Sequence, residues 1–316
     1  MLAFSATLMR HGRSYLLWLL AATICVPGVA VGLATPCGSP ESSTLTFHSS
    51  VSEVRLVFFA TDDRNHPVDA LQRDDFAVVD NENVIRAFRS FTRSNAIKLD
   101  VVLLVDASES VQAHFAPEIA AVQQMISQWP WSPEDNVSVL SFSGTEPHFV
   151  CSGNCRSSLA IDKLASVSRG GTTPLFDAVE MATYFLIQRR QPDLWPVIIL
   201  FSDGGDTISK TSFNEVLEKI LASEEQIYVI DVGGSSDETA TLQRFADESG
   251  GRYFPFRQGG VEILRAVIDD LHSARMVTYV PPESQTEFHS VRILPTHNLK
   301  LNFRCRQGYR RPSGNR

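Results

Sequence analysis

The sequence predicts an α/β fold: a doubly wound, mostly parallel, Rossmann-like sheet inserted in a small β-sandwich-like domain formed by both chain ends. Three observations carry this expectation. Residues 99–105, 197–201 and 227–232 are short, nearly unbroken apolar runs, the signature of strands covered by helices on both faces. Between them, apolar residues recur every three or four positions, the period of amphipathic helices. Outside residues 98–274 the pattern changes to short β signals separated by turn residues, at both ends of the chain.

Taken in order, residues 1–34 read as an export signal. Arg10, His11 and Arg13 precede an apolar run over 15–33, and Gly32 and Ala34 supply small residues for cleavage. A retained membrane anchor is the competing reading, because 16–33 is nearly long enough to span a bilayer. Pro27, Gly28 and the small-residue finish favour cleavage, which places the mature chain outside the cytoplasm, secreted or in the periplasm or cell envelope. After a polar linker (35–43), residues 44–97 supply the first part of the β domain. Val51, Val54, Leu56, Phe58 and Phe59 mark one strand, 76–79 a second and 84–91 a third, with turns at 62–67 and 80–83. Hairpins of this kind need a partner sheet. Residues 275–311 offer one, with strand signals at 276–280, 288–294 and 299–305, before a tail at 312–316.

Within 98–274 the alternation is regular. A first helix carries Val111, Phe115, Ile119, Val122, Ile126 and Trp129; strands follow at 137–142 and, as a short edge, 148–151. Helix 174–187, strand 197–201, a helix through Phe213, Val216, Leu217, Ile220 and Leu221, strand 227–232, helix 242–246, strand 252–256 and a last helix through Val261, Leu264, Ile268 and Leu271 complete it. Such alternation implies parallel strands with right-handed crossovers.

Composition narrows the function. The 316 residues are 43% apolar, enough for one large or two modest domains, and the formal net charge of −8 argues against a general nucleic-acid binder. Lys300, Arg304, Arg306, Arg310 and Arg311 run against that balance and read as a solvated strand edge and tail. Of the five cysteines, Cys25 lies in the export signal. Cys37, Cys151, Cys155 and Cys305 form an even set for an oxidising compartment. Cys151 and Cys155 flank a turn-like Ser-Gly-Asn and suit a local bridge, and Cys37 and Cys305 could join the two ends. A zinc site is the rival, without a second CxxC or a histidine pair to support it.

The chemistry gathers at strand ends. Asp106, Ser108 and Ser110 leave the first central strand at alternate positions; alone, they would also suit a helix cap. Gly170-Gly171-Thr172-Thr173-Pro174 opens a helix, and Ser202-Asp203-Gly204 ends a second central strand. Carboxyl ends of parallel strands are where open α/β sheets place ligands. Together Asp106, Ser108, Ser110, Thr172 and Asp203 offer hard oxygens of the kind that suit Mg²⁺, with Mn²⁺ as an alternative, and leave room for a further ligand.

These three motifs, DASES, GGT and FSDG in this order, resemble the von Willebrand factor A domain and its metal-ion-dependent adhesion site. With VDALQRDDFAVVDNENVIRAF upstream and MVTYVPP and FRCRQGY downstream, residues 50–310 resemble an exported bacterial subgroup of that family. The resemblance implies an Mg²⁺-dependent protein-binding module. Ser108, Ser110 and Thr172 would bind the ion directly and Asp106 and Asp203 directly or through water, with a partner's Asp or Glu carboxylate completing the shell. Two carboxylates only neutralise the ion, so it would still attract an anion. The alternative is a structural envelope component whose site is closed, for which Glu109 and Asp206 are candidate internal ligands, or empty. A Mg²⁺-dependent hydrolase fits less well: an aspartyl-phosphate mechanism needs an acid where Ser108 stands, and Ser108 and Ser110 lack a GxSxG elbow, with His114 an ordinary helix histidine.

Overall fold

In the computed structural model the described residues are 53–311, apart from 94–95, 158–161, 165, 257–259, 285 and 298. The export signal, the linker, Cys25, Cys37, Val51 and the tail lie outside them. Strands β1 (Val54–Thr61), β2 (Phe76–Asp80), β3 (Asn83–Ile85) and β4 (Ser90–Arg93) precede β5 (Lys98–Asp106). Then come α1 (Phe115–Gln128), β6 (Asn136–Ser143), β7 (Glu146–Cys151), α2 (Leu175–Gln188), β8 (Leu194–Ser202) and α3 (Phe213–Ala222). Next are β9 (Gln226–Asp231), α4 (Ser236–Ser249), β10 (Tyr253–Pro255) and α5 (Gly260–Ser273). β11 (Arg275–Tyr279), β12 (Phe288–Pro295), β13 (Asn302–Cys305) and β14 (Gly308–Arg310) end the described chain.

The apolar runs form the middle of one sheet, in the order β10-β9-β8-β5-β6-β7. All neighbours are parallel except the β6–β7 edge. Alternating residues of β5 serve two cores. Val101, Leu103 and Val105 pack with Phe115, Ile119 and Val122 of α1 and Ile263, Leu264 and Val267 of α5. Val102 and Leu104 face Ala178 and Val179 of α2, Val216 and Ile220 of α3, and Leu242 and Phe245 of α4. Both faces being covered explains why β5 carries no polar alternation.

The two chain ends pair with each other. β13-β1-β11-β4 and β14-β12-β2-β3 are antiparallel sheets, each mixing strands from before and after the α/β region. Leu56, Phe58, Phe76, Val78, Tyr279, Val291 and Ile293 share a third core. Inside it, fully buried Asp80 accepts hydrogen bonds from the hydroxyls of Tyr279 and Tyr309, each at 2.8 Å, while His289 Nδ1 lies 2.7 Å from the other carboxylate oxygen. This polar knot ties β2, β11, β12 and β14, and a buried carboxylate needs such partners.

Several expectations need correction. The strand expected at 84–91 is divided: β3 stays on β2, while β4 crosses to pair with β11. Between them Phe88 turns inward onto Phe76, with ring centroids 5.2 Å apart, which holds the crossover down. β14 is an additional strand. α1 starts at Phe115 rather than Val111, because 109–114 turn around the end of β5. α4 extends well beyond 242–246, started by a capping box in which Ser235 and Glu238 satisfy each other's backbone N–H groups.

Of the basic C-terminal residues, Lys300 is exposed as expected, but Arg304, Arg306 and Arg310 are not simply solvated. Arg306 is buried, and its guanidinium donates to the carbonyls of Gly308, Ser223, Ile220 and Leu221. Arg304 stacks over Phe59 at 3.8 Å, donates to Gly251 O at 2.8 Å and pairs with Asp270. Arg310 pairs with Glu218 of α3. Cys151 and Cys155 form a disulfide with a Cα separation of 5.8 Å. Cys305 forms none among the described residues, and burial pushes its thiol up to about 12.

Candidate metal centre

Strand order reverses at β5: the chain moves outward to β6 on one side and to β8 and β9 on the other. Crossovers therefore diverge at the carboxyl end of β5 and leave a crevice there. Asp106 is the last residue of β5 and Ser202 the last of the neighbouring β8, followed by Asp203.

Asp106 has no exposed surface. One carboxylate oxygen accepts the Ser108 N–H at 2.9 Å, and the other accepts the Ser202 hydroxyl at 2.7 Å. Ser202 Oγ accepts the Gly204 N–H, and Asp203 Oδ1 the Gly205 N–H, both at 3.0 Å. Burial pushes the Asp106 carboxyl up to about 6; the bonds from Ser108 and Ser202 oppose that rise, and the Asp203 charge adds to it. Two buried acids with mostly neutral donors around them favour a bound cation.

The hydroxyls sit above this floor. Ser108 is buried, Ser110 is exposed, and their oxygens are 3.1 Å apart. Gly170 N–H donates to Ala107 O at 2.8 Å and Glu109 N–H to Gly171 O at 3.2 Å, stitching the Asp106–Ser110 loop to the glycine pair. Gly170 and Gly171 have φ of 107° and 86°, the left-handed region in which a side chain would be strained. Exposed Thr172 donates its hydroxyl to Gly144 O at 2.5 Å, which leaves the oxygen's lone pairs for an incoming group. Thr173 is committed elsewhere: it is buried, and its N–H meets Thr207 Oγ1 at 2.8 Å.

Asp206 is also committed. It accepts the Phe176 N–H at 3.1 Å and the Ser209 hydroxyl at 2.5 Å, capping the start of α2. Glu109 is exposed, and His114 lines a cavity of about 600 Å³ with Asp231, Gly233, Tyr253 and Phe256. Among the described residues, no three His, Cys, Asp or Glu side chains cluster as metal ligands. The candidate set instead mixes carboxylates with hydroxyls, a donor set that fits a hard divalent cation.

Three contributors escaped the sequence reading. Ser202 orients Asp106 through its hydroxyl. Gly234 packs so closely that a Cβ there would lie 2.0 Å from Asp203 O. Glu118, on the first turn of α1, has no exposed surface and no protein partner for either carboxylate oxygen. Burial drives its pKa well above the ordinary range, with the Asp106 and Asp203 charges adding to the effect and the nearby Asp106 backbone opposing it without a hydrogen bond of normal geometry. No local motif marks these positions; an acid at a core position of the α1 period was the one available signal, for Glu118.

No curated protein matches the chain. Among solved structures, proximal thread matrix protein 1 from the mussel byssus, in a form with a zinc-occupied MIDAS motif, is 14% identical, with a TM-score of 0.45 over 62% of this chain and 50% of that one. This chain thus spans about half the length of that protein. An aerotolerance-related membrane protein from Bacteroides fragilis is 15% identical, with a TM-score of 0.42 over 55% of this chain and 98% of that one. BatB from Bacteroides thetaiotaomicron is 16% identical, with a TM-score of 0.42 over 54% and 97%. The von Willebrand factor type A domain profile matches residues 100–266, from β5 into α5, and such domains are generally protein-interaction modules. That match covers more than half of the chain, including every strand end that builds the crevice, and the chain belongs to the von Willebrand factor type A domain family.

Proposed function

We propose that this protein is a metal-dependent protein-binding module acting outside the cytoplasm. In this reading Asp106, Ser108, Ser110, Thr172 and Asp203 hold Mg²⁺, or Mn²⁺ in its place, and a partner's Asp or Glu carboxylate takes the remaining position. The observation that carries the proposal is Asp106: fully buried, held by Ser108 and Ser202, and beside a second acid, it is a poor place for uncompensated charge and a good place for a divalent cation. Exposure of Ser110 and Thr172 supports an open solvent side, and Asp206, bound to the start of α2, is not free to close it. The cavity beside His114 offers room for residues flanking the partner's carboxylate. The extracytoplasmic assignment rests on residues 1–34 and agrees with the Cys151–Cys155 disulfide.

The test is calorimetric titration of Mg²⁺ and Mn²⁺ into the purified protein, with Asp106→Ala alongside. Saturable binding to the wild type that disappears in the variant is the expected result. An Asp106→Ala protein that stays folded and binds the ion as the wild type does would overturn the assignment. Wild-type protein that binds neither ion would favour a structural component with a closed or empty site.

A further inference from the structure

We propose that Glu118 is a working part of the metal centre, an outer carboxylate that accepts hydrogen bonds from water bound to the ion and helps to hold it. This inference rests on the metal-binding reading above and adds a group that the five-residue set omits. α1 starts just past the Asp106–Ser110 loop, and a helical side chain leans toward the N-terminus of its own helix. Glu118 therefore leans back toward the loop that follows β5. Its companions on the buried face of α1 are Phe115, Ile119, Ala121, Val122, Met125 and Ile126, none of which offers a side-chain hydrogen bond. No Lys, Arg or His among the described residues pairs with it, and the charged groups that act on it are Asp106 and Asp203.

An acid that served only to fill the core would be a poor choice there. Buried carboxylates are ordinarily hydrogen-bonded or paired, as Asp80 is in the β sandwich and Asp100 with Arg189 at 3.0 Å. Glu118 is the exception, and the charges that act on it are those of the two acids of the candidate site. A divalent cation with its water shell supplies what the protein does not: donors for both oxygens and an opposite charge.

The role separates from that of the five inner residues by experiment. Mg²⁺ and Mn²⁺ would be titrated into the wild type, Asp106→Ala, Glu118→Gln and Glu118→Met, with melting temperatures recorded in chelator and in excess Mg²⁺. Glu118→Gln keeps the shape and removes the charge. It should weaken binding of both ions by about 10- to 100-fold, the usual span for outer-sphere partners. Its melting temperature in chelator should equal or exceed that of the wild type. Glu118→Met, similar in length and apolar, should melt higher in chelator and lose the rise that Mg²⁺ gives the wild type. Unchanged affinity in a folded Glu118→Gln protein would overturn the proposal and leave the five-residue site intact. Wild-type protein that binds neither ion would overturn both.

Discussion

Asp106 is worth considering as a single titrating group. Its carboxyl is held near 6 in the folded protein, against about 3.9 in an unfolded chain, so the folded state binds the extra proton between those values. Stabilisation from this group is full below about pH 4 and lost as pH rises through 6, about 3 kcal/mol by the linkage relation. Burial raises Asp100 and Glu225 as well, which tilts stability in the same direction. Without metal, denaturant midpoints measured from pH 4 to 7 should therefore fall more steeply for the wild type than for Asp106→Asn. Mg²⁺ should offset the wild-type fall, because the cation favours the ionised acid. Identical pH slopes for the two proteins in chelator would refute this account of Asp106.

At the scale of elements, the centre depends on backbone packing between the loops after β8 and β9. Gly234, just beyond β9, leaves no space for a methyl group, with Asp203 O and Glu238 Cβ 2.0 and 3.1 Å from where a Cβ would stand. Gly234→Ala must move the Asp203 segment or the first turn of α4. The expected result is a destabilisation of about 1–3 kcal/mol, the range for overpacking, together with weakened Mg²⁺ affinity. A variant that keeps full affinity would show that the position of Asp203 is not held by this contact.

At the scale of the whole molecule, the basic C-terminal strands close the structure. Arg306 donates to the carbonyls of Ile220, Leu221 and Ser223 at the end of α3, where the helix runs out of N–H donors; Ile220 O also accepts the Ser223 N–H, whereas the other two depend more on the guanidinium. Arg304 and Arg310 add contacts to Asp270 of α5 and Glu218 of α3. Arg306→Met should cost about 2–4 kcal/mol in urea unfolding, since it strands buried acceptors. Arg306→Lys should rescue little, because an ammonium cannot reproduce the planar fork. A loss below 0.5 kcal/mol would mean that water replaces the arginine at little cost.

What the sequence alone determined is what depends on short-range pattern. The Val- and Leu-rich run of β5 announces a strand buried on both faces, and DASES, GGT and FSDG sit at element ends whose turn chemistry is local. Hence the parallel sheet, the helices and the three loops that carry Asp106, Ser108, Ser110, Thr172 and Asp203 were legible, and the structure brings those loops together at one sheet edge. Tertiary structure alone decided where a residue's partners are distant in the chain. Arg306 reads as a tail charge until α3 is packed against it, and residues 84–91 read as one strand until β11 draws β4 into another sheet. Glu118 has the spacing of a core residue and the chemistry of a surface one, a conflict that only its burial within the fields of Asp106 and Asp203 gives meaning. The physical reason is the same in each case: desolvation and pairing depend on neighbours brought together by folding, and no local periodicity encodes them.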